Sequence, residues 1–143
     1  METNCDISPA EWQVMRIIWT LKEATSAQVT TILQRKVDWQ SATIKTLLHR
    51  LVKKGALKTI RHGRAFIYQP LVKEQETMNE AVDQLFASIC QMHAGQSLLH
   101  VIKHTELSKK DIASLQKLLA QKAVNAPEMV DCDCVPGEDI RCD

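Results

Sequence analysis

Residues 41–55, SATIKTLLHRLVKKG, superimpose two patterns on one helical period. Ile44, Leu47, Leu48 and Leu51 recur at i, i+3, i+4 and i+7, which is one apolar helix face, and Gly55 stands where a helix stops. The opposite face holds Thr43, Thr46, His49, Arg50 and Lys53, with Lys45 and Lys54 beside it and Ser41 at the start. One side of this helix is built to pack, and the other is cationic and hydroxylated. After Gly55 the period changes. In LKTIRHGRAFIYQP (57–70), β-branched and aromatic residues flank the short-turn signal His62-Gly63, and Pro70 closes the second run. The reading is a β-hairpin with Arg61 and Arg64 at its tip.

Upstream, SPAEWQVMRIIWTL (8–21) opens with Ser8 as N-cap, Pro9 at the first helical position and Glu11 three residues after the cap, a capping box. Trp12, Met15, Ile18 and Trp19 then share one broad face. TSAQVTTILQRK (25–36) reads as a second helix, capped by Ser26 and burying Val29, Ile32 and Leu33. Helix, helix, basic helix, hairpin is the order of a winged helix-turn-helix, and its third helix suits the major groove of duplex DNA. Ser41, Thr43, Lys45, Thr46, Arg50 and Lys53 are then the candidates for base edges and phosphates, and Arg61 and Arg64 for the neighbouring backbone or minor groove. Charge agrees: residues 1–72 carry 11 Lys+Arg against 5 Asp+Glu, whereas residues 73–143 carry 7 against 12, and no acid falls between Trp39 and Val72. A net charge of +1 conceals a basic front half suited to a polyanion and an acidic back half. The three tryptophans are read as core anchors rather than stacking platforms.

KEQETMNEAVDQLFASICQMH (73–93) returns to helical periodicity. Met78, Val82, Leu85, Ile89 and Met92 are spaced 4, 3, 4, 3, the alternation of a coiled-coil seam, and we read them as the contact surface of a homodimer on a palindromic site. Two shorter helices are expected, near Ser97–His104 and from Ser108, capped with Asp111 three on, to Lys122. The fold class is therefore mainly α with a small β-hairpin: a winged-helix DNA-binding domain (1–72), a helical dimerisation domain (73–124) and a flexible cysteine tail (125–143).

That tail, CDCVPGEDIRCD (132–143), holds Cys132, Cys134 and Cys142. Cys132 and Cys134 are too close in sequence for an easy disulfide but able to share one metal ion, and a bend at Pro136-Gly137 brings Cys142 back toward them. Thiolates favour copper(I) and zinc(II) over calcium or magnesium, and zinc asks for four ligands. A reactive thiol tail acting as a redox sensor is the other reading. Cys5 and Cys90 are expected to be inert, Cys90 because it falls in the helix bearing the seam, and His100 and His104 are read as surface residues. With no basic leader or membrane-length apolar run, the chain reads as cytoplasmic, where an odd number of cysteines argues against a disulfide framework. No phosphate-cradling loop, nucleophile elbow or HExxH is present, and no catalysis is expected.

EWQVMRIIW, TIKTLLHRLVKKGAL and GRAFIYQPLV resemble the winged-helix repressors of the BlaI/MecI/CopY family over nearly the whole chain, and CDCVPG resembles the CopY branch. The resemblance implies a copper-responsive repressor of a copper-export operon. It would be a dimer on operators of the TACAnnTGTA type that leaves DNA when copper(I), including copper brought by a chaperone, replaces zinc at the cysteines. The β-lactam-responsive relatives share the fold, lack the tail and are inactivated by proteolysis. One departure is plain: where the CopY pattern CxCxxxxCxC has its second pair, this chain has Asp139 and Arg141, with Cys142 displaced. Zinc would then need a carboxylate (Asp133, Glu138 or Asp139), water or a partner-chain thiol.

Overall fold

The computed structural model describes residues 6–138 and 140–142, so Cys5 and Asp139 lie outside the described residues. The chain divides into two compact units, Met1–Val82 and Asp83–Asp143.

The first unit is assembled on three helices and a three-stranded antiparallel sheet: α1 (Pro9–Leu21), β1 (Ala24–Thr25), α2 (Ser26–Gln34), α3 (Ser41–Lys53), β2 (Leu57–His62) and β3 (Ala65–Pro70). The expected capping box of α1 is complete, since Glu11 N–H donates to Ser8 Oγ and Ser8 N–H donates to Glu11 Oε1. At α2 the cap is Thr25 rather than Ser26. Thr25 has extended backbone and closes its own box with Gln28, and it is itself held in β1 by its pairing with Ile67, as Ala24 before it is by Tyr68. α3 stops at Lys53 as expected, and Gly55 supplies the positive φ (+83°) that turns the chain into β2.

In the sheet, ordered β1-β3-β2, the hairpin register pairs Leu57 with Pro70 and His62 with Ala65. Its two-residue turn is Gly63-Arg64, one position later than His62-Gly63. Gly63 at φ +63° with no positive φ at Arg64 is the pattern of a type II′ connection, which suits the twist of the strands.

The core lies between the helices and the inner edge of the sheet. Val14, Met15 and Ile18 of α1, Val29 and Leu33 of α2, and Ile44, Leu48 and Leu51 of α3 are all fully buried, and Leu57 joins them from β2. Trp19 is 6% exposed and donates its indole N–H to Val72 O (2.9 Å), Trp12 stacks tilted beside it, and Trp39 packs on the core margin. Trp19 is a core residue as read, and Trp12 and Trp39 are half-buried against the core. This unit is a winged helix-turn-helix: α2 and α3 form the helix-turn-helix, and β2–β3 form the wing.

α4 (Glu74–Ser88) begins beyond β3, and α5 (Ala94–His104) and α6 (Lys109–Ala123) follow. The expected single helix through His93 is not formed. α4 ends at Ser88, whose hydroxyl donates to Leu85 O, and Gln91–His93 make a 3₁₀ turn. Ile89 and Met92 therefore lie off the helix that carries Met78, Val82 and Leu85. α6 starts with the expected Ser108–Asp111 capping box, and neither α5 nor α6 has a buried residue. No helix among the described residues is long and apolar enough to cross a membrane.

Candidate nucleic-acid interface and metal centre

Burial of Ile44, Leu47, Leu48 and Leu51 fixes the rotation of α3, and the period of the helix then forces the rest outward. Ser41, Thr43, Lys45, Thr46, Arg50 and Lys53 are all exposed, and Thr46 donates its hydroxyl back to Ala42 O (2.9 Å). Lys54 behaves differently from its neighbours. Its ammonium reaches Glu11 Oε1 (2.7 Å) and Asp6 O (2.6 Å), so this cation serves the fold. On the wing, Arg64 sits in the turn, and Arg61 stands opposite Phe66 with its Nε–H donating to Gly63 O (3.4 Å); both are exposed. The first unit thus offers one helix face and one hairpin tip, both cationic.

In the second unit the tail returns on itself. Pro136 and Gly137 occupy the centre of a turn closed by Glu138 N–H donating to Val135 O (3.3 Å), and Gly137 has φ +79°, the arrangement of a type II turn. Cys142 is brought back as expected: its Sγ lies 3.3 Å from that of Cys132 and 3.8 Å from that of Cys134. A fourth sulfur is there too. Cys90 Sγ lies 3.7 Å from Cys132 and 3.2 Å from Cys142, and the four sulfurs all fall within 4.8 Å of one another. The expectation that Cys90 is inert inside the seam helix is corrected. The helix ends two residues earlier, and extended backbone at Cys90 (φ −62°, ψ 125°) releases its thiol from the helix face. Sequence reading missed it because the unbroken apolar spacing placed Cys90 inside the seam helix. The available signal was arithmetic, since three tail thiols leave zinc one ligand short.

No described disulfide is formed, and the sulfurs share protons instead. Cys132 is drawn down to about 6, chiefly by the backbone N–H of Cys134 (3.4 Å) and then by hydrogen bonds from Cys142. Cys134 is pushed up to about 11, first by its contact with Cys132 and then with Cys90, and Cys142 is pushed up by Cys90 and then by Cys132. A single negative charge among four crowded thiols keeps its neighbours protonated. A cation at the centre reverses that balance, because it pays for the charge that each further thiolate adds. The donor set fits a thiophilic ion: four sulfurs and no carboxylate among the described residues of the cluster. Asp133 is committed elsewhere, accepting from Gln91 N–H (3.1 Å). His100 and His104 stack at 4.3 Å on the exposed face of α5, apart from the thiols.

The penicillinase repressor family model matches residues 7–121. An uncharacterised 16.5 kDa protein from the ptsI 3′ region of Latilactobacillus sakei is 49% identical over 142 residues, 99% of this chain and 95% of its own length. The methicillin resistance regulatory protein MecI of Staphylococcus aureus is 31% identical over 117 residues, 82% of this chain and 95% of its own. A solved CopR repressor structure is 46% identical, covering 48% of this chain and 99% of that one, with a TM-score of 0.42.

Proposed function

The chain belongs to the penicillinase repressor family, whose members are DNA-binding transcriptional repressors and not enzymes, and from that membership we propose a finer reading, a copper-responsive repressor. In this reading residues 1–72 hold a palindromic operator of a copper-export operon in the cytoplasm, with α3 in the major groove and the wing on the adjacent backbone. Residues 73–124 form a homodimer, and residues 125–143 hold zinc in the DNA-bound state and release DNA when copper(I) takes its place. The observation that carries it is the convergence of Cys132, Cys134 and Cys142 in a tail that lies beyond residue 121, outside the segment shared with the family. A repressor core with a soft-sulfur appendage has a sensor added to it. Dimerisation is supported by the uncovered apolar faces of the second unit, where Leu85, Leu98, Leu99, Leu118 and Leu119 are each about half exposed or more. A coupling free energy of about 1–3 kcal/mol between metal and operator is enough for a several-fold or greater shift in occupancy.

A second reading, a β-lactam-responsive repressor inactivated by proteolysis, is favoured by the 31% identity to MecI over most of both chains. One experiment separates them. The reduced protein is bound to a labelled duplex containing TACAnnTGTA in the presence of zinc, and copper(I) is then titrated in, for the wild type and for the triple variant Cys132→Ser/Cys134→Ser/Cys142→Ser. Release of the wild type with retention of the variant is expected. If copper(I) leaves both on DNA, the copper reading fails. Release by peroxide in metal-free buffer would instead identify a thiol redox switch, for which the 3.3 Å approach of Cys132 to Cys142 is suited.

A further inference from the structure

We propose that Cys90 supplies the fourth thiolate of a closed, single-subunit tetrathiolate centre for a zinc-like divalent ion, and that the occupied centre staples the tail to the junction between α4 and α5. The proposal rests on the metal-binding reading above and adds to it the missing ligand and what the ion does mechanically.

Geometry is the first argument. Four sulfurs about 2.3 Å from a central zinc stand at tetrahedral edges of about 3.8 Å. Two of the edges here, Cys90–Cys132 at 3.7 Å and Cys134–Cys142 at 3.8 Å, have that length, and Cys90–Cys142 and Cys132–Cys142 at 3.2 and 3.3 Å need only open slightly around an ion. Cys90, Cys132 and Cys142 are half-buried, so the site is more closed than a tail hanging in solvent. Closed, all-protein tetrahedral sites are the structural kind of zinc site.

The second argument is independent of the sulfurs. The tail is already aligned on the junction by hydrogen bonds to Gln91: its backbone N–H donates to Asp133 Oδ1 (3.1 Å) and its side-chain Nε2–H to Asp131 O (2.8 Å). Arg141 pairs with Asp131 (3.6 Å) on the same strap. These contacts set the segment bearing Cys132 and Cys134 beside Cys90, and they engage Oδ1 of the Asp133 carboxylate. An ion joining Cys90 to Cys132 closes a loop whose content is α5 and α6, the two helices with no buried residue. Closing a long loop removes freedom from the open chain, so occupancy acts on the elements that carry the uncovered apolar faces.

The test uses the whole reduced, metal-free protein and cobalt(II) as the optical probe for zinc, with Cys90→Ser and Cys90→Ala compared with the wild type. Cys90 lies outside every helix and outside the core, so both variants should keep the far-UV circular dichroism of the wild type. We expect a tetrahedral four-thiolate cobalt spectrum for the wild type. Both variants should lose about a quarter of the sulfur-to-cobalt charge-transfer intensity, one ligand in four. Zinc affinity, measured against a chromophoric chelator, should fall at least about tenfold in both. Zinc should slow hydrogen exchange at the Gln91 amide in the wild type only. A variant with the wild-type cobalt spectrum and affinity would overturn the proposal, because the fourth ligand would then come from elsewhere, and so would a three-thiolate wild type. Failure of the repressor reading looks different: operator affinity would ignore the metal while the cobalt spectra kept the expected difference.

Discussion

Glu11 is 2% exposed, with its Oε1 held by Lys54 Nζ at 2.7 Å and by Ser8 N–H, and its Oε2 buried without a hydrogen-bond partner. Burial by itself would raise this carboxyl, but the hydrogen bonds from Lys54 and Ser8 outweigh it and hold the group below its ordinary value of 4.5. A depressed carboxyl contributes stability above its unfolded value and loses it as pH falls through the folded one. The pair therefore stabilises the first unit at neutral pH and fades in acid below about 4.5. The partners are unequal. Lys54 keeps 35% of its side chain exposed and reaches water, whereas Glu11 does not. Lys54→Met, which strips the counter-charge from a buried carboxylate, should cost about 2–4 kcal/mol in urea unfolding at pH 7, and Glu11→Gln about 1–2 kcal/mol. Below pH 4 the two variants should draw closer to the wild type. Equal stability of all three at pH 7 would show that the contact holds nothing together.

α1 is capped at its C-terminal end by Lys22, whose φ of +75° is the one positive value among the described residues other than glycine. An L side chain there costs about 1–2 kcal/mol, and glycine removes the clash at the expense of a more flexible unfolded chain. Lys22→Gly should raise the stability of the first unit by about 0.5–1 kcal/mol in thermal or urea unfolding, and a loss instead would mean that the lysine side chain itself is used. At this scale the sequence was legible wherever a local rule decides the outcome. The boxes at Ser8 and Ser108, the stop at Gly55 and the apolar face of α3 were all readable because each is settled within a few residues. The end of α4 was not. Ile89 and Met92 continue the 4, 3, 4, 3 spacing as if the helix ran on, and no Gly or Pro marks Ser88, so periodicity carried the reading past a break that a side-chain hydrogen bond and the following 3₁₀ turn create. The same break hid Cys90. Its partner Cys132 is 42 residues away, a separation over which local pattern says nothing, whereas Cys132, Cys134 and Cys142 announced themselves by proximity.

For the molecule as a whole, charge is segregated along the chain: 11 of the 18 cations fall in residues 1–72, and 12 of the 17 acids and four of the five cysteines in the rest. Two kinds of contact are expected within the cationic set, and salt distinguishes them. A side chain on a phosphate releases a counterion, so removing it should lower the slope of log K against log salt by about 0.9 per contact and weaken all duplexes alike. A side chain on a base edge leaves the slope nearly unchanged and relaxes preference at one position, at a cost of about 1–3 kcal/mol. Lys53 and Arg50 close the last turn of α3, and Arg64 tops the wing. Lys53→Gln and Arg64→Gln should therefore flatten the salt dependence of operator binding. Thr43→Val, at the start of the helix, should leave the slope intact and narrow the gap between operator and scrambled duplex. Fluorescence anisotropy across a salt series, on operator and on scrambled sequence, measures both quantities. Lys54→Met serves as the internal control, since its ammonium is turned toward Glu11 and should contribute nothing to the slope while the fold persists. If Lys53 and Arg64 behaved like Lys54, the exposed face of α3 and the wing tip would be solvated surface, and the DNA would have to be sought on another face of the first unit.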